Sequence, residues 1–238
     1  MSDFIKDNFL YLNEGVIILA ALIGLLCLKK YKKTVVKYFI YFLVYVVIIE
    51  LLGYYPRFSK NYESLNWIQN LTKGTLFERN FLWYTMFWKI GSALFISFYF
   101  RLFSENVLYK NIIKYITYIF IITTIVYFAF NYEAYYNSEL KLIRFFGVFI
   151  IILTIILYFV EILTSDKIVA FYKSANFYIA AVFFIWFLIK TPLAFYQIYY
   201  STADWNFVFL RREIALFSNM FMYLTFIFAL LWCKPQNV

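Results

Sequence analysis

Five ionisable residues stand inside long apolar runs or at their lips: Glu14, Glu50, Lys89, Lys190 and Glu213. They are the residues whose types and spacing suit chemistry. Lys89 is the clearest, eight residues into FLWYTMFWKIGSALFISFYFRLF, from Phe81 to Phe103. That run is long enough for a helix to cross a bilayer, which takes about 20 residues. An ammonium at that depth costs about 2.5–3.5 kcal/mol unless it snorkels, is hydrated or is paired. At 1.5 Å per residue, Glu213 lies roughly 4 Å deep, Glu14 and Glu50 roughly 7 Å, Lys89 roughly 12 Å and Lys190 roughly 15 Å. All five fall in the half of the membrane that the charge pattern makes the outer one.

Consecutive helices are usually neighbours, so Glu50 is expected to face Lys89, and Glu213 to face Lys190. Two readings of this band stay open. In the first, the charges neutralise one another and the lysines snorkel. In the second, Glu50, Lys89, Lys190 and Glu213 line an outward-facing polar and aromatic pocket that holds an anionic or polar small ligand; a proton relay is a third use. Pro192 bears on the second reading. It leaves the carbonyl of Leu188 without its helical donor and bends the helix, so that carbonyl needs a cavity, water or a side chain. On the inner side, Arg101 and Glu161 are either a cytoplasmic ion lock or two solvated helix ends, and solvated ends are expected. Pro192, Arg101 and Glu161 are thus structural or gating candidates.

The elements that must position these residues are seven apolar runs, about 9–28, 35–55, 81–103, 112–130, 142–163, 177–200 and 210–233. The fold class expected is all-α: one polytopic seven-helix membrane domain over residues 1–238. The first run is read as a retained span that carries Asn13 and Glu14 into the interface. The second is expected to stop at Pro56, and residues 57–80 to form the longest loop. Gly91, Ser92 and Ser97 give the third span a small-residue side that permits close approach of a neighbour. Lys29, Lys30, Lys32, Lys33 and Lys37 form the densest basic cluster and mark a cytoplasmic loop. Its minority reading is a patch for lipid headgroups or a docking partner. The orientation that follows has the N-terminus outside and the C-terminus cytoplasmic.

Composition excludes much else. The chain is 65% hydrophobic, against about 45–50% apolar for soluble domains, so the bilayer is the expected solvent. The net charge of +9 lies between apolar runs, where topology explains it, and no nucleic-acid motif accompanies it. There is no histidine. That removes the usual general base, the Ser-His-Asp arrangement and the common zinc and haem ligands. The two cysteines, Cys27 and Cys233, form no CxxC and are read as packing residues. No catalytic residue, metal ligand or cofactor is expected. Lys190 lies one helix too early to be a retinal Schiff base. No matched broken helices suggest an inverted repeat.

The reading that fits these features is a sensory or signal-relay membrane protein. It has no soluble output domain, so it would act through a partner protein on the cytoplasmic side, with membrane lipid around it. A small transporter or channel, or a membrane enzyme working with carboxylates, is the alternative. YFVEILTSDKI (158–168), LIKTPLAFYQIYY (188–200) and FMYLTFIFALLWCKP (221–235) resemble the C-terminal half of a poorly characterised bacterial seven-helix membrane family, often encoded beside sensor histidine kinases. The resemblance covers about residues 140–235. It implies a sensory or accessory role in the bacterial inner membrane, and Lys190-Thr191-Pro192 departs from it.

Overall fold

The structure is a computed structural model; it describes residues 3–133, 141–196 and 205–235. The described residues form helices and turns, with no strand among them. Seven helical stretches are long and apolar enough to cross a membrane: Asp7–Tyr31, Val36–Asn61, Phe81–Phe103, Val107–Asn131, Lys141–Leu163, Ala175–Leu193 and Phe207–Trp232. The seven runs of the sequence are these seven stretches, which marks the chain as a multi-pass membrane protein. The part of the sixth run from residue 197 to 200 lies outside the described residues.

The helices are α1 (Asp3–Tyr31), α2 (Val36–Gly53), α3 (Tyr55–Asn61), α4 (Asn66–Thr72), α5 (Phe81–Trp83), α6 (Gly91–Phe103), α7 (Val107–Asn131), α8 (Lys141–Leu163), α9 (Ala175–Tyr196) and α10 (Trp205–Trp232). Residues Tyr84–Ile90, between α5 and α6, form a π-helix. Two expectations change here. Residues 57–80 are not a bare loop, because α3, a 3-10 turn at Glu63–Leu65 and α4 occupy most of them. Pro56 does not stop a helix; it opens α3 in the first turn, where its missing N–H has no helical acceptor to lose. Gly74, with φ at 71°, turns the chain after α4, and its N–H donates to Glu78 Oε2 at 3.0 Å. Pro192 lies inside α9, which continues past it to Tyr196.

The helices group into two compact units, Met1–Val44 with Ile162–Val238, and Tyr45–Glu161. In the first unit, Phe39, Phe183 and Phe226 form an aromatic knot with centroids 4.8 to 6.2 Å apart. Alongside it α1 and α10 run parallel. Lys30 Nζ donates to the carbonyls of Leu230 and Leu231, both at 2.9 Å. The Tyr31 hydroxyl donates to those of Leu230 and Cys233, at 3.1 and 2.8 Å. The last carbonyls of a helix lack internal donors, and α1 supplies them here. In the second unit, Tyr158 of α8 packs on Phe100 and Phe103 of α6, with centroids at 5.0 and 5.6 Å. Phe120 of α7 meets Phe146 of α8 at 5.8 Å. Along its membrane length α7 buries Ile113 and Phe120 and exposes Ile119, Ile122 and Ile125, the pattern of a helix with one side in lipid.

Candidate functional site

Lys89 sits on the π-helix. A π-turn closes with i→i+5 hydrogen bonds; Gly91 N–H reaching back to Met86 O is one of these. The wider turn disturbs the carbonyl ladder, and such turns recur at functional sites. Here α2 laces the disturbed segment. The Tyr45 hydroxyl donates to Phe87 O at 2.5 Å, and Trp83 Nε1 donates to Ile49 O at 3.1 Å. Asn80 Nδ2 donates to Gly53 O at 3.1 Å, and the Tyr84 hydroxyl donates to Glu50 Oε2 at 3.1 Å. Two glycines make room for these tyrosines. A Cβ on Gly91 would fall 2.5 Å from the Tyr45 oxygen, and one on Gly53 would fall 2.5 Å from the Tyr84 oxygen. The small-residue side read from the third span is therefore real, with Ser92 and Ser97 also buried.

On another side α8 approaches the same turn. A Cβ at Gly147 would meet the Lys89 carbonyl and the Ala93 Cβ at 3.8 Å each, and Phe120 at 3.6 Å. Arg144 lies three residues earlier and so on the same face of α8. Its charge reaches Lys89. The sequence alone does not mark Arg144 as the cation that acts on Lys89, because it stands at the start of its apolar run, where a charge is ordinary. Glu50, the expected partner of Lys89, holds the Tyr84 hydroxyl; Glu50, Lys89 and Arg144 all have further contacts. On this turn and along α6 and α8 the hydroxyls of Thr85, Ser92, Ser97 and Thr154 are buried with no hydrogen-bond partner in the protein. A buried hydroxyl left unsatisfied costs about 1–3 kcal/mol, so polar matter suits this interior.

In the first unit Lys190 Nζ stands 5.2 Å from the Trp186 ring centroid, a cation–π contact. From Trp186 a polar chain crosses three helices. Trp186 Nε1 donates to Asn219 Oδ1 at 2.7 Å, Asn219 Nδ2 to Asn13 Oδ1 at 2.8 Å, and Asn13 Nδ2 to Glu14 Oε1 at 3.2 Å. Asn13 and Glu14 are thus members of α1 that engage this chain. Arg211 is the cation whose charge reaches Lys190. Glu213, half-buried, lines a hollow of about 20 Å³ with Ile5, Phe9, Phe209 and Arg212. That holds a water molecule, which needs about 10–15 Å³, and nothing larger. Pro192 is exposed. The sequence reading passed over Asn219, an amide amid the apolar residues of α10, and nothing in the sequence marked Trp186 as its partner.

Glu161 is not a solvated end. It is 8% exposed and accepts from the Ser104 hydroxyl at 2.5 Å and from the Glu105 N–H at 2.7 Å. It thereby holds the connection between α6 and α7. Arg101 is exposed. Among the described residues no three His, Cys, Asp or Glu side chains gather to hold a metal ion. Comparison with family models, curated proteins and solved structures yields no match.

Proposed function

We propose that this chain is a membrane sensor or signal relay that receives a small anion beside Lys89 and passes the event to a partner protein through the π-helical turn. The observation that carries this reading is the placement of Lys89 on Tyr84–Ile90, with the charge of Arg144 of α8 reaching it and the buried, unpartnered hydroxyls of Thr85 and Ser92 on or beside the same turn. Two cations in a low-dielectric interior attract an anion far more strongly than they would in water. A π-helix holds roughly one residue more per turn than an α-helix. Its conversion to α-helix would rotate one flank against the other by about 100°, so an anion that favoured one register over the other would turn the flanks. The N-terminus is placed outside and the C-terminus in the cytoplasm, which puts Lys89 within reach of the exterior and the basic turns beside a cytoplasmic partner. The membrane is the bacterial inner membrane, as the family resemblance implies.

The test is thermal unfolding of the purified protein in lipid nanodiscs against phosphate, sulfate, acetate and glutamate. At least one anion should raise the midpoint of the wild type and leave Lys89→Gln unchanged. If none raises it, or if the variant responds equally, the site reading fails. Sustained uptake of the stabilising anion into proteoliposomes would replace the relay by a transporter.

A further inference from the structure

One end of the first unit carries a set of ammoniums on a fixed frame. The turn from α1 to α2 is closed by Thr34 N–H and the Thr34 hydroxyl, both donating to Tyr31 O at 3.0 Å, and by Tyr38 N–H donating to Val35 O at 3.0 Å. Lys30 and Tyr31 tie this turn to the end of α10. Lys30 is thus committed to backbone carbonyls, while Lys29, Lys32 and Lys33 on the same turn, and Lys234 after α10, are exposed. Tyr178 at the start of α9 packs edge-on against Phe228, which stacks on Trp232 at 5.9 Å and 14°. That brings Lys173, two residues before α9, to the same end. Asp166 is the one carboxylate of the unit there among the described residues.

Apolar surface adjoins these charges. Leu26, one turn before Lys30 on the same face, is 82% exposed, and Trp232 is 71% exposed. Leu26 and Trp232 close the membrane spans Asp7–Tyr31 and Phe207–Trp232, so a ligand that meets both them and the ammoniums sits in the lipid layer, where an acidic soluble protein does not reach. A phospholipid matches both, with a phosphate at the level of the lysines and acyl chains at the level of the leucines, and an interfacial tryptophan belongs at that boundary. We propose that this end of the first unit binds the headgroup phosphate of an anionic phospholipid, held by Lys29, Lys32, Lys33 and Lys234, with its acyl chains against Leu26 and Trp232. The sequence's minority reading of the basic cluster becomes a site because the turn is fixed and the apolar surface lies beside it.

The experiment uses the full chain in a mild neutral detergent, with phosphatidylglycerol or phosphatidylcholine added and the thermal midpoint and bound lipid read by native mass spectrometry. Phosphatidylglycerol should bind and raise the midpoint where phosphatidylcholine does not. Its affinity should fall about fivefold for each lysine removed among Lys29→Gln, Lys32→Gln and Lys33→Gln. The Lys32→Arg/Lys33→Arg variant should keep the affinity, and so should Lys60→Gln/Lys73→Gln, which removes two exposed lysines of the second unit. Equal binding of the two lipids overturns the proposal, as does equal loss in the second-unit control. Full displacement by 10 mM inorganic phosphate would make the ligand free phosphate, and a midpoint rise with polyglutamate alone would make it an acidic chain; either result also overturns it. None of these outcomes touches Lys89, so the anion response described above stands or falls separately.

Discussion

At the scale of single residues, the polar side chains within the helices do most of their work on other polar groups of the chain. Asn219 serves two partners at once, Trp186 and Asn13. Asn219→Leu should destabilise the protein by about 1–2 kcal/mol, since hydrogen bonds between membrane helices average about 0.6 kcal/mol each and two partners lose theirs. Unfolding in mixed micelles measures this. Glu161→Leu strips the Ser104 hydroxyl and the Glu105 N–H of their acceptor and should cost about 1–3 kcal/mol. Glu161→Gln keeps one carbonyl oxygen and should cost less, while exposed Arg101→Gln should stay within about 0.5 kcal/mol. Burial pushes the Cys233 thiol up from its ordinary pKa, with the nearby Lys30 opposing. At pH 8 less of it is thiolate than in a free cysteine, so maleimide should label it slowly and faster as the pH rises. The sequence singled out Lys89, Lys190 and Glu161 because a charge in an apolar run is conspicuous. It could not single out Tyr45, Tyr84 or Trp186, which are three aromatic residues among many and become distinct only through what their polar tips reach.

Helical elements were legible wherever they are apolar. Hydropathy needs only length and composition, and both are strong in the seven spans. Helices α3 and α4 escaped because YPRFSKN and NWIQNLT are polar and short, so no apolar run announces them. The π-helix escaped for a different reason: hydropathy counts residues and says nothing of which carbonyl each N–H selects. Its supports give the prediction at this scale. Tyr45→Phe removes the donor to Phe87 O, and Gly91→Ala places a Cβ where the Tyr45 oxygen lies. Each should lower the thermal midpoint, and the double variant should cost little more than either one, because both act on one hydrogen bond. Deleting Met86, which is exposed, should let the segment adopt α-helical register. The protein should still fold, which its thermal midpoint checks. Deletion of Ile150, buried in regular α8, should not be tolerated.

For the whole molecule, charge placement governs orientation. Basic residues are densest in the α1–α2 turn, so a reporter fused to the C-terminus should be active only when it needs the cytoplasm. The Lys29→Gln/Lys32→Gln/Lys33→Gln variant should give a mixed population in which a fraction of chains has the reporter outside. The number of spans was legible in the sequence and the parallel course of α1 and α10 agrees with it, because first and last spans that cross in the same direction imply an odd count. The grouping into two units, with α2 shared between them, was not legible, since it depends on which helix faces pack and not on how apolar each one is.

The lashing of α1 to the end of α10 also sets a schedule for synthesis. Tyr31 and its acceptor on Cys233 are 202 residues apart in sequence. At roughly 5–20 residues per second, the first helix waits about 10–40 s for its neighbour. Throughout that interval Asn13, Lys30 and Tyr31 sit in a nascent chain without the helix that receives them. The chain therefore acquires its first unit only with its last segment, and a ribosome that stops short of α10 leaves a product whose earliest span is the one exposed to membrane quality control.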